Sequence, residues 1–174
     1  FKNSYKFKYY KCEFTMKNIF TILIILFFCS CDTFKSVDEY FSEAEQMRSE
    51  GKPKEALRVL NKIIKKFSKD IKASDAQYLI AEIYYRDLQD FSKSIIEYDK
   101  FSEKHPNNDK VPFSLFMQGY IYSNELKEYD SARVLYNKFI KLYPNHEMVK
   151  DVEFEIKYMG FELNQIPELK HLTE

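Results

Sequence analysis

Small and apolar residues recur in this chain every 38 residues. The recurrence holds at four positions of the period and runs through three successive units. The positions are occupied by Ala56, Ser94 and Ala132; Leu60, Tyr98 and Tyr136; Ile63, Phe101 and Phe139; and Ser68, Pro106 and Pro144. A fixed period of this size indicates stacked supersecondary units, none of which can bury its apolar face alone. The pattern therefore predicts a helical repeat protein, a class that usually works by binding.

Each unit divides into two predicted helices, here named A and B. In the third unit, apolar residues at helical spacing occupy positions 116–122 and 132–140, and a polar break at 124–128 separates them. The first two units repeat this arrangement, although the A-to-B spacing of the first is one residue shorter. The units are therefore predicted to be antiparallel helix pairs.

Helix-terminating residues support this division. Ser36-Val37-Asp38-Glu39 and Ser74-Asp75-Ala76-Gln77 are capping-box sequences, so A helices are predicted to begin at these serines. Gly51 suits the left-handed residue that follows a helix, and Pro53 suits the first turn of the next. Both residues predict a hairpin turn in the first unit.

The units resemble the tetratricopeptide repeat, which carries a small residue and an aromatic on helix A, and a small residue, an aromatic and a final proline on helix B. In the third unit the matching residues are Gly119, Tyr122, Ala132, Tyr136, Phe139 and Pro144. The resemblance covers residues 36–162 and implies an all-α, right-handed solenoid of three antiparallel pairs, closed by a helix at 148–162 and followed by a tail at 163–174. Small residues at Gly119 and Ala132 are expected to let the third hairpin close tightly.

An apolar run from Ile19 to Cys29 follows Met16 and Lys17, and it is too short to span a bilayer as a helix. A short charged lead, an apolar stretch and Ser30-Cys31 resemble a bacterial lipoprotein signal at 16–30, which implies lipidation of Cys31 and a linker at 31–35. Residues 1–15 are interpreted as an upstream extension. A buried core helix or a plain cleaved secretory signal are the alternatives for the apolar run.

Charge and composition argue against several classes of function. The chain has no net charge, and removal of residues 1–30 would leave a net charge of −4, which disfavours nucleic acid as a partner. The histidines, His105, His146 and His171, are dispersed, and glycine occurs only at 51, 119 and 160. Neither a metal cluster, a nucleophile pair nor a phosphate loop is predicted, so no cofactor and no enzymatic activity are expected.

The repeat resemblance implies a binding groove lined by the A helices. The position three residues before the small residue holds Phe41, Tyr78, Phe116 and Phe154, and the position one residue after it holds Glu45, Glu82, Tyr120 and Tyr158. Aromatic rings with polar tips suit recognition of an extended or helical peptide. The alternative is that the aromatic residues of the first set pack between repeats.

A lipid anchor followed directly by repeats, with the segments Leu115–Tyr122 and Tyr129–Pro144, resembles the outer-membrane assembly lipoproteins of the BamD type. This resemblance implies a periplasm-facing scaffold, anchored in the outer membrane, that binds protein partners in the assembly of outer-membrane β-barrels. Those relatives carry about five repeats, whereas this chain has three. A Tol-Pal-type accessory protein of envelope constriction, and a module that presents substrate to a partner hydrolase, remain as alternatives.

Overall fold

The computed structural model describes residues 35–172, and this part of the chain is all-α. The α-helices are α1 (Val37–Ser49), α2 (Pro53–Lys66), α3 (Ile71–Arg86), α4 (Phe91–Lys104), α5 (Val111–Tyr120), α6 (Tyr129–Leu142) and α7 (Val149–Tyr158). A π-helical turn, Ile121–Glu125, continues α5, and two 3₁₀ segments, Leu163–Gln165 and Pro167–Leu172, follow α7. The predicted signal peptide and Cys31 lie outside the described residues.

The helices pack in the order expected of stacked pairs. Within pairs, α3 contacts α4 and α5 contacts α6; between pairs, α2 contacts α3 and α4 contacts α5, and α7 closes the stack against α6. Tyr40 joins α1 to α2, because its ring lies 6.0 Å from that of Phe67 and its hydroxyl accepts from Lys66 Nζ at 2.7 Å. Tyr40 is fully buried. The prediction of an all-α fold of helix pairs is confirmed.

Three of the four positions that recur every 38 residues form the core, whereas the residues of the fourth, Ser68, Pro106 and Pro144, are exposed. Ala56, Ser94 and Ala132 are fully buried, as are Leu60, Tyr136, Ile63, Phe101 and Phe139, and Tyr98 is 1 % exposed. The buried Ser94 hydroxyl donates to the carbonyl oxygen of Ala81 at 2.9 Å, so this serine also ties α4 to α3. A shared register of small and large side chains therefore lets the same contact be repeated along the stack.

One of the two predicted capping boxes is confirmed and the other is wrong. At α1, Ser36 N donates to the Glu39 carboxylate at 2.6 Å, and Glu39 N donates to Ser36 Oγ at 3.3 Å. In contrast, α3 begins at Ile71, because the Asp70 carboxylate accepts from Lys72 N and caps the helix one turn earlier. Ser74 therefore lies inside α3, where its hydroxyl donates to the Ile71 carbonyl.

The hairpin turns share a left-handed residue at the same place in the period. Gly51, Gln89 and Lys127 have φ angles of 70°, 50° and 58°. After α1, Gly51 N donates to Arg48 O and Lys52 N donates to Met47 O, which is the Schellman pattern predicted for this helix end. Pro53 opens α2, also as predicted. Only the first turn has the glycine that this conformation favours.

The third pair, like the second, has one residue more than the first before its left-handed turn residue, and it accommodates this residue in a π-helical turn. Gly51 and Lys127 occupy equivalent turn positions, but Lys127 lies one residue further from the small residue of its A helix than Gly51 does. Over Ile121–Glu125 the backbone widens, and Leu126 N donates to Ile121 O at 3.0 Å, five residues back. The second pair has the same spacing, and there Leu88 N donates to Ile83 O at 3.0 Å, also five residues back. The added residue is therefore accommodated at the end of helix A in both pairs, and the register of helix B stays intact.

The closing helix is shorter than the predicted segment 148–162. It ends at Tyr158, and Gly160 with φ 85° turns the chain away from the helix axis. The following 3₁₀ segments fold back, since Ile166 is only 7 % exposed. The start of the region assigned as a tail is thus packed against the repeats.

Candidate protein-binding face

The predicted groove residues occur in pairs, one turn apart, on the four A-type helices. Phe41 and Glu45 lie on α1, Tyr78 and Glu82 on α3, Phe116 and Tyr120 on α5, and Phe154 and Tyr158 on α7. Their exposure differs greatly: Glu45 is exposed, Tyr78 is buried, and the other six are half-buried. The face formed by these helices, here called the A face, is therefore not a uniform aromatic ladder.

Tyr78 belongs to the core. Its ring makes edge-on contacts with Tyr98 at 5.6 Å and Phe101 at 5.3 Å between ring centroids, and its side chain is 9 % exposed. Burial raises the pKa of Tyr78 to about 12, and the nearby Glu82 carboxylate adds to the effect. At this position the structure places the ring between helices, as the packing alternative expected.

Phe116 takes part in packing on both sides of α5. Its ring lies 5.9 Å from Tyr136 and 6.0 Å from Phe113, and it contacts the apolar clusters of the second and third pairs. Phe113, one turn earlier, is 38 % exposed. Phe116 thus links the core to a partly open aromatic surface at the start of α5.

Two carboxylates, those of Glu155 and Glu125, lie near Tyr120. Burial raises the pKa of its hydroxyl, and the negative charges of Glu155 and Glu125 raise it further. Glu125 accepts from the Tyr85 hydroxyl at 3.2 Å, and Glu155 accepts from the amide of Asn124 at 3.4 Å. Neither Glu125 nor Glu155 forms an ion pair within residues 35–172. This part of the A face offers a half-exposed phenol ring flanked by hydrogen-bond acceptors.

Tyr158 is engaged by the segment that follows α7. Its hydroxyl donates to Glu168, whose carboxylate also receives Lys157 Nζ at 3.2 Å. The pKa of Glu168 is held below its usual range, mainly by the hydrogen bond from Tyr158 and also by Lys157. The ring of Tyr158 packs against that of Phe154 in a tilted contact, with 4.8 Å between ring centroids. One edge of Tyr158 is therefore covered by the chain itself.

An arginine lies between the acids of α1 and α3. Arg48 donates to Asp87 at the end of α3, and this hydrogen bond is the main reason why the pKa of Arg48 is raised. Glu82 and Glu45 add favourable charge interactions. The acids predicted at the first two steps of the groove therefore surround a cation of the same chain.

A cavity of about 330 Å³ opens beside this aromatic region, between the π-helical turn and α7. Its lining includes Asn124, Glu155, Tyr158, Phe161 and Ile166. The cavity combines aromatic walls with carboxylate and amide groups. Such a surface suits the side chain of a bound polypeptide.

Residues 35–172 contain no group of histidine, cysteine, aspartate or glutamate that could hold a metal ion. His105 lies against the ring of Phe101 at 5.7 Å, and burial, with the charge of Lys104, lowers its pKa. His146 accepts from the backbone of Met148 at 3.2 Å. Both of these histidines have local roles in inter-repeat turns.

The sequence did not indicate several residues that shape the A face. Tyr85, Asp87 and Glu125 connect successive A helices, but they stand outside the four positions that recur every 38 residues. Glu168 lies in a segment with no periodic pattern. Tyr40 is buried, and so is Gln77 at the equivalent position of the second unit, but a glutamine there gives the sequence no sign of burial.

Stacked A and B helices, with a small residue of each pair buried at their crossing, define a helical repeat protein of the tetratricopeptide type. The chain belongs to the YfiO family of outer membrane lipoproteins, whose family model matches residues 34–159. This match confirms the resemblance to lipoproteins of the BamD type. No curated protein matches the chain. Among residues 35–172, no helix has both the length and the apolar character needed to cross a bilayer.

Proposed function

We propose that this chain is a non-catalytic scaffold, anchored through a lipid on Cys31 in the outer membrane and facing the periplasm, that binds a protein partner in outer-membrane protein assembly. The observation that carries the proposal is the surface around Tyr120, where a half-buried phenol ring is flanked by two carboxylates without ion pairs in the described part of the chain. Family membership supports the location and the general role.

The A face suits a polypeptide better than a small molecule. The rings of Phe113, Phe116 and Tyr120 follow one another at centroid distances of 6.0 and 6.1 Å along α5. They provide rigid contact area, and Glu125 and Glu155 accept hydrogen bonds beside it. Aromatic rings of this kind bind a partner at a low cost in side-chain entropy. Neighbouring hydrogen-bond acceptors orient the bound polypeptide.

The binding step is tested by capture of partners from detergent-solubilised envelope. The double variant Tyr120→Ala with Tyr158→Ala is expected to keep its helical circular dichroism and to lose partners, because both side chains are half-buried. Tyr120→Phe with Tyr158→Phe is the matched control, since it keeps both rings and removes only the hydroxyls. Glu168→Gln weakens the contact with Tyr158 and keeps both tyrosine rings. It therefore shows what loosening of the segment after α7 does to partner binding when the groove residues are intact.

Two outcomes contradict this assignment. A loss of stability of about 3 to 5 kcal/mol in the alanine variant would mean that the rings fill the seam between repeats, as core aromatics do. Retained partners in a folded variant would place the binding surface elsewhere. The identity of captured proteins also separates β-barrel assembly from a Tol-Pal role or delivery of substrate to a hydrolase.

The anchor is tested by fractionation. Cys31→Ser is expected to move the protein out of the membrane fraction, because the acyl attachment point is removed. Cys29→Ser is the matched control, since Cys29 precedes the predicted cleavage site and its loss leaves the attachment point in place. Membrane association of the Cys31→Ser protein equal to that of the control would refute lipidation at this residue.

A further inference from the structure

The three B helices carry an excess of positive charge. Together α2, α4 and α6 contain eleven lysines and arginines and five carboxylates. The A-type helices α1, α3, α5 and α7 have the opposite balance, with five cations and nine carboxylates. Although the chain has no net charge, it is electrically polarised between its two sets of helices.

The charge of the B helices follows the repeat register. Lys62, Lys100 and Lys138 occupy the same position in the three helices, and Arg58, Ile96 and Val134 occupy the position four residues earlier. Residues four apart lie one turn apart on the same helix face. Each B helix therefore has a lysine one turn after an arginine or an aliphatic side chain. These six residues define what we call the B face. Lys62 Nζ lies 5.9 Å from the centroid of the Tyr40 ring and Lys100 Nζ pairs with Glu97 at 2.7 Å, so a ligand of these lysines competes with contacts inside the chain.

The aliphatic side chains of the B face are in water. Ile96 is 51 % exposed and Val134 is 68 % exposed. Between them lies a shallow cavity of about 410 Å³, which Ile95, Tyr122 and Leu135 also line. Its lining also includes Asp99, Gln118 and Ser131, and the lysines of the B face stand one helical turn beyond Ile96 and Val134. Exposed aliphatic groups with lysines one turn away are typical of helices that lie in a membrane interface, where aliphatic groups enter the acyl boundary and lysines reach the phosphates.

The chain's own tether favours a bilayer as the occupant of this face. An acyl group on Cys31 would hold the start of α1 within about 20 Å of the membrane, because six extended residues span no more than that. This distance exceeds the diameter of a helix with its side chains, so α2 can reach the bilayer beside α1. The argument rests on the anchor of the proposed function.

We propose that the B face docks on an anionic lipid bilayer, with Lys62, Lys100 and Lys138 at the headgroup phosphates and Ile96 and Val134 in the acyl boundary. Docking deepens the proposed function because it turns the A face, with Tyr120 and its carboxylates, away from the membrane and toward partners. Asp99 lies in the lining of the cavity and opposes this contact.

The absence of tryptophan from the chain allows a direct test. Full-length Val134→Trp is added to vesicles of phosphatidylcholine and phosphatidylglycerol with brominated acyl chains. Its emission is expected to shift to the blue and to be quenched. Phe161→Trp is the matched control, since Phe161 is 54 % exposed and follows the A-type helix α7. Its emission is expected to remain that of a solvated indole.

Charge variants show whether the contact is electrostatic. In the Val134→Trp background, Lys100→Glu with Lys138→Glu is expected to abolish quenching while the amino-terminal segment keeps the protein on the vesicles, and Asp99→Asn is expected to increase quenching. Quenching is also expected to fall in neutral vesicles and as salt rises from about 0.1 to 1 M, where the screening length drops from about 10 to 3 Å. Circular dichroism verifies that each variant is folded.

An unquenched Val134→Trp in a folded, vesicle-bound protein would overturn the proposal. If the lysine variants then lost a captured protein, the B face would belong to an acidic protein partner. The anchor and the A face have separate tests, in fractionation and in partner capture. A failure of membrane docking is therefore distinguishable from a failure of the proposed function.

Discussion

Replacement of Gly119 by alanine tests the crossing of α5 and α6. A Cβ at this position would lie 2.6 Å from Cε1 and 2.7 Å from Cδ1 of Tyr136, whereas ordinary contacts begin at 3.4 Å. The Tyr136 ring would have to move by several tenths of an ångström, but it is fully buried, lies 5.9 Å from the Phe116 ring, and has its hydroxyl 3.4 Å from Glu155. The geometry confirms the prediction that the third hairpin requires a small residue here.

The expected change in the free energy of unfolding combines two opposing effects. Overpacking of a core costs about 1 to 3 kcal/mol, and alanine in place of a helical glycine returns about 0.5 to 1 kcal/mol. Gly119→Ala is therefore expected to destabilise the protein by up to about 2.5 kcal/mol, and Gly119→Leu by more. The measurement is equilibrium unfolding in urea, followed by circular dichroism.

Two controls make the result specific. Ala81 is the equivalent residue of the second pair, and Ala81→Gly is expected to destabilise through lost helix propensity and a lost methyl group. In addition, Tyr136→Leu combined with Gly119→Ala should cost less than the sum of the single changes, because the clash is removed. A Gly119→Ala protein that is more stable than the parent chain by about 0.5 to 1 kcal/mol, as expected from helix propensity alone, would refute the close approach of the two helices.

Lys127→Gly is expected to stabilise the protein by up to about 1 kcal/mol in urea unfolding, because Lys127 has φ 58° and glycine adopts this conformation without strain; a loss of stability would contradict this reading of the turn. Tyr78→Ala is expected to destabilise the protein by about 3 to 5 kcal/mol, as truncation of a core aromatic residue does. A melting temperature close to that of the parent chain would contradict the placement of Tyr78 in the core. His105 has a folded-state pKa below its ordinary value of 6.5, so the unfolded chain binds the proton first as the pH falls, and stability should decrease with falling pH below 6.5. The free energy of unfolding, measured in urea between pH 5 and 7, should depend less steeply on pH in His105→Asn than in the parent chain. An unchanged dependence on pH would exclude this contribution.

The candidate site was predictable in outline only. Periodicity placed Phe116, Tyr120, Phe154 and Tyr158 on A-type helices, and the structure places them there. It could not show that Tyr78, in the same register as Phe116, is buried while Phe116 remains half-buried. The difference depends on the neighbours across each seam. For Tyr78 these are Tyr98 and Phe101, which close over the ring from α4.

The sequence by itself determined the helix pairs, their order and their core. A 38-residue period fixes which residues face inward, since a helix buries one side and every pair must bury the same side on the next. Local chemistry also determined the helix ends where one capping group had no competitor, as at Ser36 and Gly51.

Only the tertiary structure decided the helix ends and surfaces at which several local solutions compete. Asp70 and Ser74 could both cap α3, and the chain uses the earlier residue. An extra residue after α5 could lengthen a loop or widen the helix, and it forms a π turn. The carboxylates around Tyr120 come from two different elements, one of them α7, so their proximity is a property of the stack. Contacts of this kind join residues far apart in the chain, and no local pattern records them.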